Sequence, residues 1–126
     1  MTRLVTLRRR TEFLAVRGGS RWSTPSFLME ARANPGKPSD AGPRFGFTVT
    51  KKLGPAVTRN RIRRRLREAL RTGPLTSAKP GLDYVVIARH AAATRPFADL
   101  QSDFRVAIER VSRPVGRPRP ARTADA

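Results

Sequence analysis

One run constrains this chain more than any other: Thr58-Arg59-Asn60-Arg61-Ile62-Arg63-Arg64-Arg65-Leu66-Arg67-Glu68-Ala69-Leu70-Arg71. Ile62, Leu66, Ala69 and Leu70 recur at i, i+4, i+7 and i+8, the apolar stripe of a 3.6-residue helix. Arg63, Arg67, Asn60, Arg71 and Arg64 fall on the opposite side, with Arg61 and Arg65 flanking them. The helix must bury one face in a core and present an almost unbroken cationic face elsewhere. A solvated charged face normally interleaves both signs. Here Glu68 is the only acid, so the pattern calls for a polyanion to offset the repulsion.

Composition agrees. The 126 residues suit one domain with a small core, and the formal net charge is +18. A nucleic acid is the partner this charge favours. A membrane fits poorly, because no stretch approaches the roughly 20 apolar residues of a spanning helix. The arginine helix also lacks the Trp or Phe of an interfacial one. There is no cysteine, which excludes disulfides and thiolate chemistry. The basic N-terminus has no apolar secretory core, and the expected location is the cytoplasm. Only four basic residues are lysines (Lys37, Lys51, Lys52, Lys79), and the other 23 are arginines. A GC-rich coding bias accounts for that excess at most positions.

Punctuation divides the rest. Residues 1–10 read as a basic lead-in. A short helix follows with Thr11 as N-cap and Phe13, Leu14 and Val16 as apolar residues, ended by Gly18-Gly19. Phe27–Arg32 and Arg44–Thr50 alternate as strands, joined by a Pro- and Gly-rich loop over 34–43. Phe27, Met29 and Ala31, with Phe45, Phe47 and Val49, form a core face. Leu28, Glu30 and Arg32, with Gly46, Thr48 and Thr50, form the face for solvent or ligand. Thr72-Gly73-Pro74 stops the arginine helix, and 83–88 reads as a buried strand. A last helix begins near Thr94, with Phe97, Leu100, Phe104, Ala107, Ile108 and Val111 as its stripe. The expected class is α+β: a small sheet with helices packed on one face, in the order helix-strand-strand-helix-strand-helix. Residues 1–112 form the expected nucleic-acid-binding domain, RNA-binding by the resemblance given below, and 113–126 a disordered basic tail.

Catalytic groups are scarce. His90 is the only histidine and there is no cysteine, so a zinc site of the usual ligands cannot be assembled; nothing local to His90 supports a nucleophilic triad, and it reads as a surface residue at a strand end. Asp99 and Asp103 read as favourable charge near a helix N-terminus. No Walker or Rossmann glycine loop is present. The chain reads as a binder. A strand before the arginine helix argues against a helix-turn-helix, and sparse sheet aromatics argue against an RRM. Lys51-Lys52 extend the positive field at the N-terminus of the arginine helix. For Phe13, core packing and base stacking are equally open.

The segment from Arg44 to Arg64 resembles the bacterial ribonuclease P protein component, whose signature is a strand ending in Lys-Lys, a short turn, then Arg-Asn-Arg on a basic helix. Phe13 matches an aromatic of that family's first helix, and 83–89 looks like its last strand; the likeness spans roughly residues 7–111. It implies a non-catalytic subunit of a ribozyme that removes the 5′ leader of precursor tRNA and whose substrate range the protein broadens. It implies that Mg²⁺ is held mainly by the RNA subunit and is not bound tightly by the protein. Lys51, Lys52, Arg59, Asn60, Arg61, Arg63, Arg64 and Arg67 would contact the catalytic RNA. Phe13, Leu28, Glu30, Thr48 and Lys51 would line a cleft for the single-stranded leader. Some relatives carry aromatics where this chain has Arg17 and Glu30. A left-handed crossover around the arginine helix is a further implication. The alternatives are a ribosomal-type structural RNA-binding protein and, more distantly, a DNA-compacting one.

Overall fold

The computed structural model describes residues 4–33 and 42–112. Eight main elements run in the order β1 (Val5–Thr6), α1 (Arg10–Val16), β2 (Ser20–Ser23), β3 (Phe27–Ala33), β4 (Arg44–Thr48), α2 (Ala56–Arg71), β5 (Leu82–Ala88) and α3 (Phe97–Ser112). Short 3-10 turns cover Lys51–Leu53, Pro74–Ser77 and His90–Ala93. The strands form one sheet in the order β1-β4-β5-β3-β2. β1 pairs with β4 and β4 with β5 in parallel; β3 is antiparallel to both β5 and β2. β4 and β5 are thus parallel neighbours linked through α2.

The expected α+β class holds, and the three expected strands lie at its centre. Two strands were missed. β1 is two residues long inside the basic lead-in, too short to show alternation. β2 has one apolar residue, Trp22, whose ring packs on the core with the Arg110 guanidinium 4.9 Å from its centroid. The turn into β3 was marked by polar residues: Thr24 Oγ1 accepts from the amides of Ser26 and Phe27 and donates to the Phe27 carbonyl.

The main core lies between α2, α3 and one sheet face. Phe27, Met29, Phe45, Tyr84 and Val86 meet Ile62, Leu66, Leu70, Leu100, Phe104 and Ile108, all of them completely buried. Phe27 stacks on Phe104 with centroids 4.5 Å apart, and Phe45 on Tyr84 at 4.6 Å. The last helix keeps its expected stripe apart from Phe97, which is 39% exposed at the first residue.

The helices do not all share one face. α1 lies on the other side of the sheet, where Leu7, Val16 and Val85 form a second small cluster with Phe13 and Ile87. Thr11 does not cap α1; Arg9 is the N-cap, and Glu12 Oε1 accepts from the amides of Arg8 and Arg9 at 2.9 Å each. Asp103 also differs from expectation. Seven residues into α3 and nearly buried, it accepts from Ser26 Oγ at 2.8 Å and from Arg95 Nε and Nη2 at 2.6 and 3.0 Å. A buried charge needs such a partner. The residues read as a basic tail, 113–126, and most of the 34–43 loop lie outside the described residues.

If the apolar stripe holds α2, Leu66→Ala should cost roughly 2–5 kcal/mol of stability, while Arg67→Ala on the outer face should stay within about 0.5 kcal/mol. Urea unfolding of both variants checks the contrast.

Candidate nucleic-acid interface

Seven arginines lie on α2, and the fold sorts them. On the side toward the His90–Ala93 turn, Arg65 donates to the carbonyls of Ala92 and Arg95. Arg61 Nε donates to the Ala93 carbonyl at 3.4 Å. Burial, and secondarily the charge of Arg61, pushes the Arg65 guanidinium below its ordinary pKa. Arg59 Nε donates back to the Gly54 carbonyl at 3.1 Å. These three stitch the helix to its surroundings. Gly54, at φ 128°, lets the chain turn from the Lys51–Leu53 segment into α2.

The rest face outward. Asn60, Arg63, Arg64, Arg67 and Arg71 line an open trough of about 580 Å³ together with Glu68 and, from beside β1, Leu4. Arg63 Nη1 donates to Asn60 Oδ1 at 3.2 Å, and Glu68 pairs with Arg71 at 2.5 Å. Lys51 and Lys52 are exposed in the turn before α2. Of the eight residues expected to contact the catalytic RNA, Asn60, Arg63, Arg64 and Arg67 share the trough. Arg59 and Arg61 have backbone partners, and the two lysines stand at the helix entrance. Arg71 was missed as a site residue, although the helical wheel placed it on the charged side. Leu4 had no sequence signal, because only the β1–β4 pairing brings the lead-in beside α2.

A second surface lies on the opposite sheet face. Register sets its rows: Thr48, Ile87, Leu28 and Ser23 cross the sheet in one, and Gly46, Val85, Glu30 and Arg21 in the next. α1 covers one side. Phe13 lies against Gly46 so closely that a Cβ there would fall 2.7 Å from its Cζ and nearer still to Cε2. The residue packs on the second cluster and is half-buried. Leu28, Glu30 and Thr48 are half-buried on the floor beyond it, and Lys51 is exposed past the end of β4. Four of the five expected cleft residues, Phe13, Leu28, Glu30 and Thr48, are thus brought to one side of the sheet, while Lys51 stands in the turn that leads to α2.

An ion-pair cluster seats α1 there. Arg44 gives two hydrogen bonds to Asp83, at 3.0 and 2.7 Å, and one to Glu12 Oε2, at 2.9 Å. The backbone amides of Arg9 and Arg8, reinforced by Arg44, hold the Glu12 carboxyl down at about 2.

Among the described residues no group of three or more His, Cys, Asp or Glu side chains is placed to hold a metal ion. Glu12 and Asp103 are bound to arginines in the folded state. No helix among these residues is long and apolar enough to cross a membrane.

Comparison with known proteins agrees with this geometry. A family profile described as Ribonuclease P matches residues 1–112. The ribonuclease P protein component of Brucella suis is 47% identical over 106 residues, 80% of this chain and 75% of the relative. That of Paramagnetospirillum magneticum is 43% identical over 111 residues, 86% and 84% of the two chains. Among solved structures, the RNase P protein of Thermotoga maritima superposes with a TM-score of 0.70 at 27% identity, covering 86% of this chain and 98% of that one. An RNase P protein of Staphylococcus aureus gives 0.67 at 26%, covering 85% and 94%.

The depressed Glu12 carboxyl makes α1 acid-sensitive. Its stabilising contribution is complete above about pH 4.5 and lost as pH falls toward about 2, because protonation removes the charge that Arg44 and the two amides favour. Glu12→Gln should lower Tm at pH 7, and the gap from wild type should close across that window. Thermal melts at successive pH values measure it.

Proposed function

The chain belongs to the ribonuclease P protein family, and from that premise we propose how it serves as the protein subunit of the ribonucleoprotein. The α2 trough and the two lysines bind the catalytic RNA subunit, and the cleft beside α1 holds the 5′ leader of precursor tRNA. The observation that carries this reading is the placement of two different surfaces on opposite sides of one sheet. The trough is lined mainly by guanidinium groups of one helix and is suited to phosphates. The cleft has a half-buried aromatic, a floor of mixed apolar and polar side chains and a basic approach, a combination suited to single strands. A ribosomal-type binder needs only the first surface, and the family match also disfavours that alternative.

In this reading the polypeptide supplies position and charge and the RNA supplies the chemistry, with Mg²⁺ held mainly by RNA. By gripping the leader, a part common to many precursors, the subunit broadens the range of tRNAs processed. The complex works in the cytoplasm, where precursor tRNA is made.

Leader removal should therefore need the RNA: protein alone with Mg²⁺ should release no leader from precursor tRNA, and robust cleavage would end this reading. Binding to the RNA subunit should weaken roughly 10³-fold between about 50 and 200 mM salt if ~6 phosphates are neutralised. Arg63→Ala with Arg67→Ala should flatten that slope with little change in Tm. Phe13→Ala should instead reduce discrimination between precursor and mature tRNA, because stacking is worth about 1–3 kcal/mol per base. Filter binding on variants first checked by circular dichroism separates the two surfaces.

A further inference from the structure

On the floor of the cleft stands a carboxylate. Glu30 sits mid-strand in β3, in register with Val85 on one side and Arg21 on the other. It is half-buried. Unlike those of Glu12, Asp83 and Asp103, which are bound to guanidinium groups, its carboxylate forms no hydrogen bond or ion pair among the described residues. Arg21, its cross-strand neighbour, is exposed and makes no salt bridge to it. The other acids on this face, Glu12 and Asp83, are tied to Arg44, and the remaining charges near it are basic and exposed: Arg8, Arg9, Arg10 and Arg17 along α1, Arg32 on β3, and Lys51.

We propose that Glu30 orients the bound single strand and selects its base, taking a guanine in preference to uracil. This rests on the leader-cleft reading above and adds to it the identity of the base. A carboxylate on the floor repels phosphate, so the backbone is driven to the basic rims and a base edge is turned toward the sheet. Unpaired RNA is read on its Watson–Crick edge. A carboxylate is acceptor-only. Guanine offers it two adjacent donors, N1–H and the 2-amino group, which match its two oxygens. Cytosine and adenine offer one amino donor beside a ring acceptor. Uracil offers a single N–H between two carbonyl oxygens, both of which repel the carboxylate. Glu30 lies two strands from Gly46, roughly 10 Å across the sheet. A base reaching Glu30 is therefore set apart from the place where Phe13 rests on the sheet.

The test uses the assembled holoenzyme and precursor tRNAs whose leader is all uracil except for one guanine, moved through successive positions. For the wild type, guanine at one position should tighten precursor binding by about five-fold or more over uracil. In Glu30→Gln, whose amide mixes donor and acceptor, that gain should fall below about two-fold, with Tm and affinity for mature tRNA unchanged. Glu30→Ala provides a second removal of the carboxylate and should behave likewise. Arg21→Ala should keep the guanine preference. No preferred position in the wild type, or a preference that survives in both Glu30 variants, overturns the assignment while precursor is still favoured over mature tRNA. So does a preference abolished by Arg21→Ala and spared by Glu30→Gln. If precursor and mature tRNA bind equally whatever the leader, the cleft reading itself fails, and the inference falls with it.

Discussion

Everything on the outer side of α2 depends on what its inner side buries. Ile62, Leu66, Ala69 and Leu70 have no solvent exposure. Their burial against the sheet and α3 is the favourable term that offsets crowding seven guanidinium groups onto sixteen residues. The helix is held by this stripe and by its two flanks. On one flank, Arg61 and Arg65 donate to the carbonyls of 92, 93 and 95. There the cation is used inside the structure, satisfying backbone acceptors where the chain turns toward α3. A guanidinium suits the task because its donors reach several carbonyls at once. In the trough Arg64, Arg67 and Arg71 are exposed and Arg63 half-buried, and with Glu68 the only acid among them their charge is left for an anion to offset.

The second surface depends on a close approach. A ring can rest on a sheet only where the strand beneath has no side chain, and Gly46 is that position. Polar contacts then set how α1 sits. Arg44, from the same strand as Gly46, bonds Asp83 within the sheet and Glu12 on the helix. A seven-residue helix is too short to be stable alone. Packing of Phe13 and Val16, together with this cluster, is what gives α1 a defined place beside the open face.

The two surfaces share one strand, β4. β4 supplies Gly46 and Thr48 to the cleft and Phe45 to the core beneath α2, by simple alternation. At its end the Lys51–Leu53 turn carries the chain from the cleft to the start of the arginine helix. The strand thus sets the separation between the arginine trough on one side and the α1 face on the other.

Much of this was legible in the amino-acid order. The 3.6-residue stripe located α2 and its charged face, and period-two alternation located β3 and β4 and divided Glu30 and Thr48 from the core. Glycine and proline ended the elements near their observed bounds. These signals are local, written in neighbouring side chains. What the order did not carry was pairwise and distant. β1 and β2 are too short or too polar to show a period, and exist because a neighbouring strand accepts their backbone. Asp103 looked like a helix-end charge until packing set it against Arg95 and Ser26. Identical arginine side chains became stitches or trough according to which carbonyls lay opposite. α1 went to the far face because Gly46 left room there for Phe13. Periodicity determines which face of an element is apolar; only the assembled sheet decides what each polar side chain meets, since that depends on residues far away along the chain.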